Sequence, residues 1–386
     1  MKMVDLYEVA GVDVEAGDTA SSIAAKFCKE TYQNSPIASV VDMTNGNFRG
    51  PRAIDLDDKF RMKPYYLSCA PDGIGTKVVL HDAAKTYGVA AFDLIAMTSF
   101  DLVRWGGMPV FFTSVLDVSK LGKPDSDSFK ATVALYSGAA KAATEVDMVI
   151  LNGETAELGA QVASENPDGT LQFNWGGSAQ GLYHPDKMIL GKTLKPGQVI
   201  MLLKENGFRS NGISLVRSIF AHQYGKDWYT KPDAQKYIRM AAEPSVLYDK
   251  FFCSINGWYE DDSQRIKVHS LVHLSGGSFE SKFGKDILYP LGLSADISDP
   301  WELPEIMQEC SEWGTSDGKI DDLTLYRTWN GGQGALAVID KIDAEKFMEE
   351  ATRFGLEAKI GGVITKNDTP SVRLKSSLTG DDIIFG

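Results

Sequence analysis

The chain has 386 residues, 43% of them hydrophobic and 24% charged, with 37 glycines. That length exceeds one ordinary core and suits two domains of roughly 190 residues each, and the composition excludes a disordered or fibrous chain. A formal charge of −13 argues against a sequence-independent grip on nucleic acid, which needs clustered Lys and Arg; a small polyanion is still accessible through a bridging metal ion.

The N-terminal stretch MKMVDLYEVAGVD carries no apolar core of signal-peptide length, and no window approaches the ~18 apolar residues of a membrane span. A soluble cytoplasmic protein with no membrane partner is expected. Cys28, Cys69, Cys253 and Cys310 lie far apart without a C-x-x-C pair, so reduced thiols are expected rather than a zinc site or a disulfide framework.

The first half alternates strand-like and helical runs. YYLSCA (65–70) reads as a strand and AFDLIAMTSFDLVRWG (91–106) as a helix; MPVFFTSVLDV (108–118), rich in Val and Phe, is again a strand. DSFKATVALYSGAAKAATE (127–145) reads as a helix opened by Asp or Ser, VDMVILNG (146–153) as a strand, and LQFNWGGSAQGLY (171–183) as a strand that its glycines bulge. At HPDKMILGKTLKPG (184–197) the pattern breaks into Pro, Gly and Lys, which places a domain boundary between 185 and 186. A second series then follows, with strands at QVIMLLKENG (198–207), GALAVID (334–340) and EAKIGGVI (357–364) and helices at ISLVRSIFAHQYG (213–225) and DAEKFMEEATRFG (343–355). No short repeat period is present, which excludes a solenoid.

Three motif-like matches fail in context. GKT at Gly191–Thr193 lacks the first glycine of a phosphate loop, because Asp186 stands there. GQGALA (332–337) leads into a Val/Ile strand where a dinucleotide fingerprint needs a helix. GGSFES (276–281) lacks the closing glycine of a nucleophile elbow.

A stronger signal is a set of acids in glycine-bearing segments that flank apolar strands. Asp72 sits in PDGIGTK after YYLSCA, Asp101 in SFDLVRWGG before a strand, and Glu154 and Glu157 in NGETAEL after VDMVILNG. Loops at strand ends commonly bind ligands in folds that mix strands and helices. Scattered carboxylates suit Mg²⁺, and neighbouring glycines let backbone N–H groups approach a phosphate. Taken singly, Asp72-Gly73 reads as a hairpin turn rather than a site, and Asp101 as an i,i+3 surface partner of Arg104.

Taken together and in order, these stretches resemble the phosphoribosylformylglycinamidine cyclo-ligase (aminoimidazole ribonucleotide synthetase) family. The resemblance extends through YEVAGVDVEAGD (7–18), DGIGTK (72–77), DLIAM and DLVRWGGMPVFF (within 93–112), NGETAEL (152–158), SNGISLVR (210–217), VHLSGGSF (272–279) and YRTWNGGQG (326–334). It implies a two-domain α+β subunit whose N-terminal domains (1–185) pair in a homodimer through a β-barrel, followed by a C-terminal α+β domain (186–386). It also implies ATP, Mg²⁺ and formylglycinamidine ribonucleotide as ligands.

Carried onto this sequence, the resemblance implies Asp72, Asp101 and Glu154 as metal-side acids, Glu157 as a further site acid, and Lys77 as a cation for developing phosphoryl charge. Gly73, Gly75 and Thr76 would approach phosphate. Asn211, Gly212, His273, Gly276 and Gly277 would contact substrate phosphate or ribose. His269 has no counterpart and reads as structural. Several positions depart from the family pattern: Phe100 replaces an asparagine before Asp101, Arg209 a histidine before SNG, Asn152 a glycine, and Ser278 a third glycine. Arg209 cannot act as a base at neutral pH but can grip phosphate bidentately. The loop TNGNFRGPRAIDLDD (44–58) is more polar than the family's and offers Arg49 and Arg52 to phosphate. A related ATP-dependent kinase or synthetase of the superfamily, and a non-catalytic nucleotide-binding paralogue, are the alternative readings.

Overall fold

The computed structural model describes residues 14–42, 52–57, 65–259, 265–275, 278–316 and 318–386. The chain forms two compact units, one of Met1–Leu102 and Pro109–Leu182, the other of Val103–Met108 and Tyr183–Gly386.

The first unit is built on a four-stranded sheet in the order β3 (Tyr66–Gly73), β6 (Phe173–Tyr183), β4 (Met108–Val118), β5 (Val149–Glu157). Strands β4 and β5 are parallel, so a crossover must join them, and helix α4 (Asp127–Glu145) supplies it. That helix starts where the sequence indicates: Ser126 caps it, its Oγ accepting from the Phe129 N–H at 3.3 Å, and Asp127 sits in the first turn. Its buried stripe includes Phe129, Leu135, Ala139 and Ala142. Helix α1 (Val14–Glu30) packs against α4 and β5. A separate antiparallel pair, β1 (Ala38–Asp42) with β2 (Arg52–Leu56), follows α1 in sequence. Helices α2 (Lys77–Ala84) and α3 (Tyr87–Val103) carry the chain from β3 to β4.

The second unit has a seven-stranded sheet in the order β13 (Asp382–Phe385), β12 (Val372–Lys375), β9 (Ser294–Ile297), β11 (Ala358–Thr365), β7 (Val199–Lys204), β10 (Gln333–Ile339), β8 (Val268–His273). The described pairings are antiparallel except β12 with β9. Every residue of β8 and β10 is buried, the polar His269, Ser270, His273 and Gln333 included, so neither strand has the solvent-facing side of a half-exposed sheet. Helices α5 (Ile213–Tyr224), α6 (Gln235–Ala241), α7 (Asp249–Ile255), α8 (Glu305–Trp313), α9 (Asp322–Thr328) and α10 (Ala344–Arg353) complete the unit with a π-helical segment at Phe279–Leu288.

Two strands run further than the sequence indicates. β5 continues through NGETAE to Glu157, and β3 through PDG to Gly73. For β5 the ladder explains the extension, since Glu154 stands opposite Val115 and Glu157 opposite Val118; cross-strand pairing overrides local turn propensity. The acids at 154 and 157 therefore stand on a strand rather than in a loop. No helix among the described residues is long and apolar enough to cross a membrane.

Candidate functional site

In the first unit, Asp72 and Gly73 are the last two residues of β3. Asp72 is exposed, and its Oδ1 accepts from the Gly73 N–H at 2.7 Å. The Ile74 N–H then donates to the Trp175 carbonyl at 3.1 Å, tying the strand end to β6. Gly75 takes φ +61°, in the left-handed region that glycine tolerates, and Thr76 leads into α2. The hairpin reading of Asp72-Gly73 is thus replaced by a strand-to-helix junction, with Asp72, Gly75 and Thr76 exposed.

Lys77, the first residue of α2, points the other way and is wholly buried. Its Nζ donates to Asp93 Oδ1 at 2.7 Å, and His81 Nε2 lies 2.8 Å from Asp93 Oδ2. Lys77 and His81 are i and i+4 on one helix face, and both meet Asp93 on α3. Burial pushes His81 below the ordinary imidazole value. The ring is then neutral, donating from Nε2 to Asp93 and accepting at Nδ1 from the Thr86 hydroxyl 2.8 Å away. For Asp93, burial opposes ionisation, but the Lys77 ammonium and then His81 outweigh it and hold the carboxyl below its usual range.

Asp101 is half-buried near the end of α3, while its neighbour Phe100 is wholly buried and packs into the core. Glu154 is exposed and Glu157 half-buried. Because β3 and β5 are opposite edges of the sheet, Asp72 and Glu154 stand three interstrand steps apart, about 14 Å at the usual spacing. Among the described residues, no group of three His, Cys, Asp or Glu side chains is placed to hold a metal ion. Asp72, Asp101 and Glu154 therefore form no three-carboxylate cluster within the chain. Glu154 instead borders a cavity of about 270 Å³ between α1, α4 and the sheet, with Phe27, Phe112 and Trp175 in its walls. There the Tyr136 hydroxyl lies 2.8 Å from Thr155 Oγ1, and burial pushes the phenol up to about 12. Arg49 lies outside the described residues, and Arg52 opens β2.

In the second unit, Arg209 precedes the SNG segment with φ +56° and no exposed surface. Its Nη1 donates to Glu205 Oε2 at 2.7 Å and to the Val246 carbonyl at 3.0 Å, and its Nε to His273 Nε2 at 3.2 Å. The guanidinium carbon lies 5.5 Å from the centre of the Tyr248 ring. Glu205 is held in turn by the Asn206 N–H at 3.1 Å and the Val246 N–H at 3.3 Å. Burial, with Glu205 nearby, pushes the Tyr248 phenol well above its ordinary value. Asn211 and Gly212 are half-buried at the start of α5. Gly212 has φ +70°, and a Cβ there would lie 2.5 Å from Trp329 Cδ1. Trp329 donates from Nε1 to the Gly212 carbonyl at 3.3 Å, and Asn330 from Nδ2 to the Gly207 carbonyl at 2.9 Å. The YRTWN and SNG stretches thus brace one another. His273 ends β8, wholly buried; Gly276 and Gly277 lie outside the described residues. His269 is buried, with Nδ1 2.6 Å from Thr193 Oγ1 and Nε2 3.2 Å from Asp340 Oδ2.

Sequence reasoning missed Asp93, His81, Glu205, Tyr248 and Trp329 as organisers of these segments. The i,i+4 spacing of Lys77 and His81 was the available signal for the first pair. Trp329 lay inside YRTWNGGQG but carried no visible role until its indole met Gly212.

Residues 57–173 match the AIR synthase related protein N-terminal domain, and residues 195–375 its C-terminal domain. A phosphoribosylformylglycinamidine cyclo-ligase from Cupriavidus taiwanensis is 30% identical over 351 residues, covering 88% of this chain and 87% of that protein. The chain belongs to the AIR synthase family. Another cyclo-ligase, from Oceanobacillus iheyensis, is 28% identical over 95% of this chain and 98% of its own. Among solved structures, thiamine-monophosphate kinase from Stenotrophomonas maltophilia aligns with TM-score 0.57 at 14% identity, over 90% of this chain and 94% of the kinase. The hydrogenase maturation protein HypE in complex with ATP aligns with TM-score 0.56 at 12% identity, over 93% and 91%. These two share the two-domain α+β fold of the AIR synthase family.

Proposed function

We propose that the protein is an ATP-dependent cyclo-ligase that closes formylglycinamidine ribonucleotide to aminoimidazole ribonucleotide, releasing ADP and phosphate. The observation that carries this reading is the near full-length match to cyclo-ligases, with the acids Asp72, Asp101, Glu154 and Glu157 all present. The chemistry has a simple logic. The substrate's formamide oxygen is a poor leaving group; transfer of the γ-phosphoryl group to it expels ADP and makes it a good one. The amidine nitrogen of the same molecule then attacks the formyl carbon, phosphate departs with that oxygen, and the nitrogen loses its proton. Attack is intramolecular, so positioning replaces much of the entropic barrier.

The exposed junction of β3 and α2 suits the nucleotide phosphates. Asp72 marks its edge, Gly73 and Gly75 allow close backbone approach, and the α2 N-terminus offers N–H groups to an anion. Asn211 and Gly212 at the start of α5 offer the same to the substrate's phosphate. ATP is taken as the phosphoryl donor. Since the three acids assigned to Mg²⁺ do not converge within one chain, no step is drawn through the metal. Homodimerisation through the first unit is favoured by the exposed apolar side chains of its strands, Tyr66 and Leu67 on β3 and Val115 on β4, which pairing would cover.

The test is ADP formation from ATP in the presence of formylglycinamidine ribonucleotide, with release of inorganic phosphate read alongside it, and with thiamine monophosphate, whose phosphorylation forms ADP but frees no phosphate, as the competing substrate. Turnover with the ribonucleotide alone is expected. Turnover with thiamine monophosphate alone, or binding of ATP without turnover on either, would sink the reading.

A further inference from the structure

We propose that Arg209 is a positioning residue that fixes His273 as a neutral imidazole carrying its proton on Nδ1, which closes Nε2 to acid–base work. The inference deepens the cyclo-ligase reading, since both residues belong to the segments assigned to the substrate, but the protonation state follows from geometry alone. A guanidinium is charged at any working pH and can only donate. Its Nε–H is aimed at His273 Nε2 at 3.2 Å, so that nitrogen must present its lone pair. A ring with one lone pair in use and one proton left bears that proton on the other nitrogen. Protonating Nε2 would set two N–H groups against each other in a wholly buried space.

The donor cannot easily turn away. Nη1 of the same planar group is held by Glu205 Oε2 and the Val246 carbonyl, and the Tyr248 ring lies alongside it. Glu205 is itself gripped by two backbone N–H groups. Arg209 also adopts a left-handed backbone, φ +56°, which a side chain tolerates only where its surroundings over-determine it. Beyond the end of β8, Lys282 donates to Ser275 Oγ at 2.6 Å, two residues after His273. His273 therefore serves as a fixed hydrogen-bond donor through Nδ1, and neither takes nor gives a proton at Nε2.

Nitrogen-15 NMR of the full-length protein labelled at its five histidines reads the tautomer directly, with the His273 signals assigned by their loss in His273→Gln. In the unsubstituted protein, Nε2 of His273 should show the shift of an unprotonated acceptor and Nδ1 that of a protonated donor. A protonated Nε2 would overturn the proposal without bearing on whether the protein turns over any substrate. Arg209→Met removes the donor. Combined with Glu205→Gln, so that no buried carboxylate is left unpaired, it should move the proton to Nε2, whereas Arg209→Lys should preserve the Nδ1–H form. An unchanged tautomer in the folded double variant would show that something other than Arg209 holds the ring.

Discussion

The two units each carry a buried trio of cation, carboxylate and histidine beside a glycine-bearing motif, and they wire it in opposite ways. Behind DGIGTK, the carboxylate of Asp93 stands in the middle and binds both Lys77 and His81. Behind RSNG, the guanidinium of Arg209 stands in the middle and binds both Glu205 and His273. A histidine beside a carboxylate must donate; one beside a guanidinium must accept. The same three kinds of group thus yield an Nε2–H imidazole in the first unit and an Nδ1–H imidazole in the second. Which residue is central decides what the histidine can do.

The largest effect separating the two should come from removing the central charge of the first trio. Asp93→Asn removes the carboxylate that Lys77 meets at 2.7 Å and should cost about 3–5 kcal/mol of unfolding free energy, as is usual for breaking a buried pair; urea unfolding of the variant measures it. Glu205→Gln removes a peripheral member of the second trio, and Arg209 keeps the Val246 carbonyl and His273 as acceptors. That loss should be smaller, about 2–3 kcal/mol. If the two variants proved equally costly, the central-versus-peripheral distinction would fail. Gly212→Ala touches neither ion pair and tests the brace between SNG and Trp329. With φ +70° and a 2.5 Å approach, it should lose about 2 kcal/mol, visible as a lower Tm.

The smallest effect is in pH. His81 has a lowered folded value, so below the ordinary imidazole value near 6.5 the unfolded chain takes up a proton that the native ring resists. Its contribution is fully present above about pH 6.5 and is lost as pH falls, by at most about 1.4 kcal/mol per pH unit. The depressed Asp93 adds its own loss only in the more acidic carboxylate range. Urea midpoints at pH 7 and 5.5 should differ more for the natural protein than for His81→Asn. Equal differences would place the acid sensitivity elsewhere.

Much of the architecture was legible because its signals are local. The strand at 108–118 and the helix at 127–145 agree with the structure end to end, the second because Ser126 caps it and its apolar residues recur at helical spacing. The ends of β3 and β5 were not legible, since partner strands set them. Nor was the failure of Asp72 and Glu154 to meet, because strand order places them on opposite edges and no local pattern records strand order. The pairing of Lys77 with Asp93, sixteen residues on across a helix turn, and the seating of Gly212 on Trp329 are likewise tertiary facts. Phe100, a departure from the family pattern, resolves simply: it is a core residue.

The central claim is that the formamide oxygen leaves as phosphate, and oxygen labelling tests it most directly. With formylglycinamidine ribonucleotide carrying oxygen-18 in its formyl group and unlabelled ATP, the account predicts label in the inorganic phosphate, appearing in step with aminoimidazole ribonucleotide. Ring closure with unlabelled phosphate, or ATP hydrolysis without ring closure, would contradict it.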